Sequence, residues 1–325
     1  MMGTRDSRRD RYSETSIHPI GVVIPTYNRA DTLLTCLEHL EKQTWKDFEV
    51  IVVDDGSTDS TPQTMDEYQA RAPFSFRYLR QSNSGPARAR NQAIRELNTT
   101  ICVLLGDDIF ASPDLLRIHC EHHRSHPSID AVAVGLTRWS KKGQTVTPFM
   151  RWLDRDGAQF AYGDLLRGVS PSWKHFYTSN LSLKTDQLRR HPFDERFRRA
   201  ALEDIELGYR LAVKRELSMS FLPEAVAEHL HPTSFRQACR RMVGLGASAH
   251  LLGEIWPEHR IESAGPAKLK LRSILHQSWI LARLTDAADL WTEVHVPNPL
   301  MEKVLSLYST LGYQQAVERD KSSPR

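Results

Sequence analysis

Three short apolar runs, each closed by a polar cluster, limit what this chain can fold into. Ile20–Ile24 is apolar and largely β-branched and is closed by Pro25; Phe48–Val53 runs into Asp54-Asp-Gly-Ser-Thr-Asp59; Ile101–Leu105 runs into Gly106-Asp-Asp108. Such runs read as strands buried on both faces. Between the first two, Leu33, Leu34, Leu37 and Leu40 recur with helical spacing, and Asp31 is placed to cap that helix. A second helix is expected at about Pro62–Ala70, a short strand at Phe76–Leu79, and a third helix from Gly85-Pro86 to about Leu97, proline suiting the first turn. Strands alternating with helices imply a parallel sheet covered on both faces. Ligands gather beyond the carboxyl ends of such strands, which puts the residues after Ile24, Val53 and Leu105 at a site.

From Ile129 to about Phe221 the pattern is mixed, with one strand expected at Ala131–Val134; beyond His231 it is mainly helical. Residues 266–284 set Leu269, Leu271, Ile274, Leu275, Trp279 and Leu281 among Lys268, Lys270 and Arg272, an amphipathic pattern that packs on its own domain, pairs in a homodimer, or rests on a membrane surface. The expected organisation is a tail over 1–17, a domain over 18–245 with a first half to about 128 and a second half from about 129, a helical region over 246–317, and a tail over 318–325. A formal charge of +3 over 325 residues argues against a dedicated nucleic-acid binder. Cys36, Cys102, Cys120 and Cys239 are scattered, contain no Cys-x-x-Cys pair, and read as buried thiols. Residues 1–17 carry four arginines and no apolar run, unlike a secretory signal, and no segment approaches the roughly 18–20 apolar residues of a membrane span. A cytoplasmic protein, at most peripheral to a membrane, is expected.

Five clusters carry chemistry. Pro25-Thr-Tyr-Asn28 with Asp54 and Asp55 places an aromatic ring and carboxylates at neighbouring strand ends, where they can stack a base and accept its N–H; uracil suits such an acceptor, though Tyr27 can equally pack a loop and the aspartates cap the next helix. Arg88 and Arg90 fall in the first turns of the third helix, favourable for a diphosphate, or simply form a solvated basic face. Asp107 and Asp108 put two adjacent carboxylates after a buried strand, an arrangement that a divalent cation stabilises. Glu203 and Asp204 open an amphipathic helix, where one carboxylate can deprotonate a hydroxyl or merely favour the helix terminus. His229 and His231 share one face of an extended segment and are candidate metal ligands together with Asp108.

The order Val22-Val-Ile-Pro-Thr-Tyr-Asn28, Val52-Val-Asp-Asp-Gly-Ser-Thr-Asp59, Gly85-Pro-Ala-Arg-Ala-Arg-Asn91, Gly106-Asp-Asp108 and Glu203-Asp204 closely resembles the family 2 glycosyltransferases over roughly residues 19–245. The resemblance implies an α/β GT-A fold, Rossmann-like and mostly parallel, with a mainly helical C-terminal extension. It implies a nucleotide-sugar donor, commonly a UDP-sugar, a divalent metal such as Mn²⁺ or Mg²⁺, and inversion at the anomeric carbon. By motif position Thr26, Tyr27, Asp54 and Asp55 hold the nucleoside, Arg90 lies near the nucleotide or diphosphate, Asp108 binds metal, and Asp204 is the general base. The acceptor is a saccharide, a lipid-linked compound or a small molecule.

One departure stands out: Gly106 occupies the place of the first aspartate of the family's Asp-x-Asp, leaving a metal site to Asp108, Asp107 and a histidine from His229 or His231. Neither a Gln-x-x-Arg-Trp sequence nor a membrane span is present, unlike a processive polysaccharide synthase. Two rival readings are a nucleotidyltransferase, for which Asn28-Arg-Ala-Asp31 is a poor phosphate loop, and a degenerate scaffold, against which Glu203-Asp204 argues. Trp139, Trp152, Trp173 and Tyr177 are either sugar-stacking rings or core.

Overall fold

The computed structural model describes residues 20–155, 160, 162–260, 279–297 and 299–322. Strand β1 (Ile20–Thr26), helix α1 (Ala30–Glu41), β2 (Phe48–Asp54), α2 (Thr61–Gln69), β3 (Ser75–Arg80), α3 (Pro86–Glu96) and β4 (Ile101–Leu105) follow the expected alternation. The remainder is β5 (Ile109–Ala111), α4 (Leu115–Ser125), β6 (Ala131–Trp139), α5 (Pro148–Arg155), α6 (Tyr162–Leu166), β7 (Asn180–Lys184), α7 (Thr185–Arg190), α8 (Glu203–Val213), β8 (Ser218–His229) and α9 (Phe235–Ile255), then α10 (Trp279–Val294) and α11 (Pro299–Ser322). The sheet has eight strands in the order β3-β2-β1-β4-β7-β6-β8-β5. Its first four are parallel, and β7 runs antiparallel to both β4 and β6.

Every residue of β4 is buried, as the unbroken apolar run requires when helices cover both faces. One core layer gathers Val22, Ile24, Leu33, Leu37, Val50, Val52 and Val103; the other gathers Val23, Ile51, Val53, Ala89, Leu104 and Leu183. Alternate residues of the same strands therefore serve opposite layers, the period-two geometry of a pleated strand.

Several local expectations are corrected. Asp31 does not cap α1; Arg29 holds the N-cap position, its amide donating to Thr61 Oγ1, and Asp31 lies inside the first turn. The strand at Ala131 extends to Trp139, because β8 continues beside it past a bulge at Gly135/Leu136. Trp139, Trp152 and Tyr177 are buried among other rings and serve the core, while Trp173 is half-buried against Tyr209. All four cysteines are buried free thiols. Residues 1–17 and most of the amphipathic stretch 266–284 lie outside the described residues, and among the described residues no helix is long and apolar enough to cross a membrane.

The division expected at residue 245 falls inside α9, and α11 runs through residue 318 to Ser322. Helices α9 and α11 cross with their backbones in close approach. A Cβ on Gly246 would lie 1.8 Å from the Ser309 carbonyl oxygen, and one on Gly312 would lie 1.8 Å from the Val243 carbonyl oxygen. Only the two glycines permit that approach. Gly246→Val forces the helices apart at a cost of about 1–3 kcal/mol; a lowered melting temperature with faster amide exchange along α11 is the expected result, and an unchanged melt would show that the crossing does not bear stability.

Candidate active site

The polar ends of β1, β2 and β4 converge at one edge of the sheet, and most of their side chains hold the loops in shape. Asp54 is fully buried and accepts from the Ser57 amide (2.7 Å) and the Tyr78 hydroxyl (2.6 Å), with Arg80 Nε at 3.3 Å. Asp55 accepts from Gln81 Nε2 and from the amides of Ser84 and Gly85. It thus fixes the start of α3, not of α2 as the capping alternative had it. Asn28 sits at φ +54°, and its Oδ1 receives the amides of Thr58 and Asp59, stapling the end of β1 to the loop after β2. Thr26 Oγ1 donates to Asp107 Oδ2 at 2.8 Å. Pro25 is half-buried, and Tyr27, 46% exposed, stands free at the rim.

Asp107 and Asp108 diverge. Burial, and then the charge of Asp108, push the Asp107 carboxyl up to about 7, and it faces Thr26. Asp108 meets the histidines because β5 pairs antiparallel with the end of β8, Ile109 opposite His229, and the Leu230 amide donates to the Asp108 carbonyl at 2.9 Å. His229 Nε2 and His231 Nδ1 lie 3.3 and 3.2 Å from Asp108 Oδ2. Trp139 stacks on His229, which stacks on His231, so the rings are held by packing. Burial works to raise the Asp108 carboxyl, but hydrogen bonds from both histidines and the charge of Arg29 outweigh it and hold the group well below the usual carboxylate range. Gly106 also has a local reason: a Cβ there would come within 2.9 Å of Asp108 Oδ1.

Among the described residues Asp108, His229 and His231 form the one group whose ligand atoms, within 4.8 Å of one another, can hold a metal ion. One carboxylate oxygen and two imidazole nitrogens are a fitting donor set for a borderline divalent ion. Asp107 is not part of that group. The guanidinium of Arg29 bridges two of the three, with Nη1 2.5 Å from Asp108 Oδ2 and Nη2 3.3 Å from His231 Nδ1. A positive group thus already sits where these electron pairs converge.

Arg88 is exposed at the start of α3, whereas Arg90 turns inward. Its Nη1 lies 2.8 Å from Glu203 Oε1, and its guanidinium covers the Phe193 ring. The pair is buried, and Arg90, expected near the nucleotide or diphosphate, neutralises the first of the two acids opening α8. Asp204 is left as the available carboxylate. It is partly exposed, and burial and then the charge of Glu203 push it up to about 6. The residue before this acidic pair, Leu202, takes the left-handed conformation at φ +66°, a strain of about 1–2 kcal/mol that aims the start of the helix.

Two further residues belong to this cleft. Arg29 follows the Thr-Tyr-Asn motif directly and could have been included with it. Arg241, from α9, keeps part of its side chain exposed while its guanidinium lies in crowded surroundings, where burial lowers its pKa against the pull of Asp204, Glu203 and Asp108. Nothing in the sequence separates Arg241 from Arg236 and Arg240 on the same helix.

Residues 21–167 match the family described as Glycosyl transferase family 2. They form a family 2 glycosyltransferase domain. The chain is 29% identical over 240 residues to an uncharacterized glycosyltransferase, YfnE, of Bacillus subtilis, and 31% identical over 225 residues to a validoxylamine A glucosyltransferase of Streptomyces hygroscopicus. These alignments cover 58% and 59% of this chain but only 59% and 51% of the relatives, so the chain spans little more than half of their length. Around the family 2 domain the fold is that of GT-A glycosyltransferases. The mannosyltransferase PcManGT from Pyrobaculum calidifontis, solved with GDP-Man and Mn²⁺, superposes with a TM-score of 0.57 over 95% of this chain and 89% of its own at 17% identity. TarS 1–349 of S. aureus, solved with UDP, gives 0.50 over 94% and 93%, also at 17% identity.

The buried Arg90–Glu203 pair yields a direct test of this geometry. Arg90→Met strands the Glu203 carboxylate and is expected to destabilise the fold by about 3–5 kcal/mol, read by denaturant unfolding. The double change Arg90→Met with Glu203→Leu should recover much of that loss. A single variant as stable as the native chain would show that the pair is not buried.

Proposed function

We propose that this chain is a metal-dependent, inverting glycosyltransferase that moves a sugar from a nucleotide diphosphate donor, a UDP-sugar by preference, to a hydroxyl acceptor. The observation that carries the reading is the cluster of Asp108, His229 and His231 beyond the end of β4, whose ligand atoms lie within 4.8 Å of one another in a fold shared with GT-A glycosyltransferases. The family 2 domain over residues 21–167 and the nucleotide or nucleotide sugar bound in both superposed transferases support the donor class.

Tyr27 would stack on the base at the rim, beside the frame made by Thr26, Asn28, Asp54 and Asp55. Asp108, His229 and His231 would hold the divalent ion, Mn²⁺ in preference to Mg²⁺ because two of the three donors are nitrogens. That ion, when bound, supplies positive charge to the diphosphate oxygens. Arg29, with a third of its side chain exposed, would then swing off Asp108 towards the phosphates. Asp204 would take the proton of the acceptor hydroxyl as its oxygen attacks the anomeric carbon. The bond to the diphosphate breaks, its electron pair leaves with the phosphate oxygen, and Arg241 would help to counter the charge that grows there. Attack opposite the leaving group inverts the anomeric centre.

Calorimetry with UDP, GDP and dTDP, each with and without Mn²⁺, tests the site. The expected outcome is micromolar UDP binding that weakens at least about tenfold without metal and in Asp108→Ala. A folded protein that binds none of the three would overturn the reading. Asp204→Asn should lower kcat by about 10²–10⁴ with donor affinity retained. Because a base works only when deprotonated and the Asp204 carboxyl lies at about 6, transfer should fall as pH drops through that value and level off above it. A rate flat from pH 5 to 8 in the native protein would remove Asp204 from the role.

A further inference from the structure

Arg29 already occupies the electron pairs that a metal ion would need. Its Nη1 lies 2.5 Å from Asp108 Oδ2, and its Nη2 lies 3.3 Å from His231 Nδ1. A guanidinium has donors and no acceptor, so His231 Nδ1 is the acceptor in that contact and carries its lone pair there. Asp108 Oδ2 is also the oxygen that both histidines face, 3.3 Å from His229 Nε2 and 3.2 Å from His231 Nδ1. An ion seated among these three atoms would compete with Arg29 for two of them and would stand beside its positive charge. Arginine and ion therefore exclude one another at this cluster.

The backbone of Arg29 is fixed, but its side chain has room to leave. As the N-cap of α1, its amide donates to Thr61 Oγ1 at 3.2 Å and its carbonyl accepts from the Leu33 amide at 2.9 Å. A third of the side chain is exposed, so the guanidinium can change partners while the backbone stays in place. Asp107 is a poor substitute partner: its Oδ2 accepts from Thr26, and its Oδ1 lies 3.5 Å from Arg29 Nη1, a long contact. A displaced Arg29 thus needs an anion from outside the chain. On the transfer reading the base lies at Tyr27, two residues earlier, and the diphosphate that follows it would supply oxygens suited to a guanidinium fork.

We propose that Arg29 is a positioning residue that keeps the cluster closed to a metal ion until a nucleotide diphosphate arrives, so that ion and nucleotide bind cooperatively. Without nucleotide, an incoming ion must break both Arg29 contacts and nothing replaces them. With a diphosphate present, Arg29 exchanges a carboxylate for phosphate oxygens and the cluster opens. The coupling is reciprocal, as linkage requires: whatever factor the nucleotide adds to ion affinity, the ion adds to nucleotide affinity. The proposal rests on the glycosyl-transfer reading and deepens it by naming what regulates the metal site.

The test measures Mn²⁺ binding to the metal-stripped full chain by calorimetry, without nucleotide, in the native protein and in Arg29→Met. Loss of a merely structural side chain would weaken Mn²⁺ binding or leave it unchanged. Removal of a competitor should instead tighten it, by at least about fivefold, the lower end of ordinary coupling between sites. The factor by which Mn²⁺ strengthens UDP binding should shrink in the variant to a comparable degree, leaving only what direct contact between ion and diphosphate provides. Arg29→Gln, which keeps a polar side chain without the charge, should behave in the same way and gives the reading if the methionine variant folds poorly. Mn²⁺ that binds the folded variants no more tightly than the native chain overturns the proposal, as does an unchanged coupling factor. A native protein that takes up no Mn²⁺ even with UDP removes the metal-dependent reading itself, and this proposal with it, before any variant is made.

Discussion

The ion pair between Arg90 and Glu203 joins parts of the chain 113 residues apart and sets the geometry on which the cleft depends. It draws the first turn of α8 onto α3 and holds one of two adjacent acids neutral in effect, so that its neighbour alone faces the cleft. Asn91, next along α3, completes the join. Its side chain donates to the Phe193 carbonyl and to Glu195 and accepts the Phe193 amide. The Gly-Pro-Ala-Arg-Ala-Arg-Asn segment is therefore chiefly a fastening for the loop that carries the catalytic candidates. Burying two charges is costly unless each meets the other with good geometry, and the 2.8 Å contact over the Phe193 ring meets that condition.

The opposite wall of the cleft depends on strand register. A shift of β5 against β8 by one residue would turn alternate side chains to the other face and take His229 away from Asp108. Backbone pairing of Ile109 with His229 and the Leu230–Asp108 hydrogen bond prevent that slip. Packing of Trp139 on His229 then fixes the ring plane. Gly106 fits the same logic. With Asp108 turned towards the histidines, a side chain at 106 would meet its carboxylate. The glycine and the position of the Asp108 carboxylate beside the histidines are therefore compatible.

Periodicity made the first half of the fold legible because parallel strands buried on both faces leave nearly continuous apolar runs. The site was legible to the extent that its residues follow those runs: Asp108 after β4 and the histidines at the end of β8. What could not be read were partnerships made by tertiary contact. Arg90 and Arg88 are alike in sequence, yet one is buried against Glu203 and the other exposed. Asp54 and Asp55 look like ligands for a base, but most of their hydrogen-bonding capacity is taken up by their own loops. Arg241 was invisible because selecting one arginine of three on a helix requires knowing which face turns to the cleft. Asp31 misled because a carboxylate favours both the cap and the first turn, and the Thr61 hydroxyl decided between them.

Helix α9 makes the C-terminal region part of the site's frame. Arg241 lies within electrostatic reach of Asp204 and Asp108, Gly244 lies beneath Arg199, and Gly246, two residues on, receives α11 at its backbone. Residues 241–246 therefore connect the charge arrangement to the helix crossing. A helix positioned only by its own hydrogen bonds could rotate by some tens of degrees and carry Arg241 away from Asp204 and Asp108. The Gly246–Ser309 and Gly312–Val243 contacts leave no room for that rotation. The expected division at residue 245 falls between residues of one helix that the crossing with α11 holds in place.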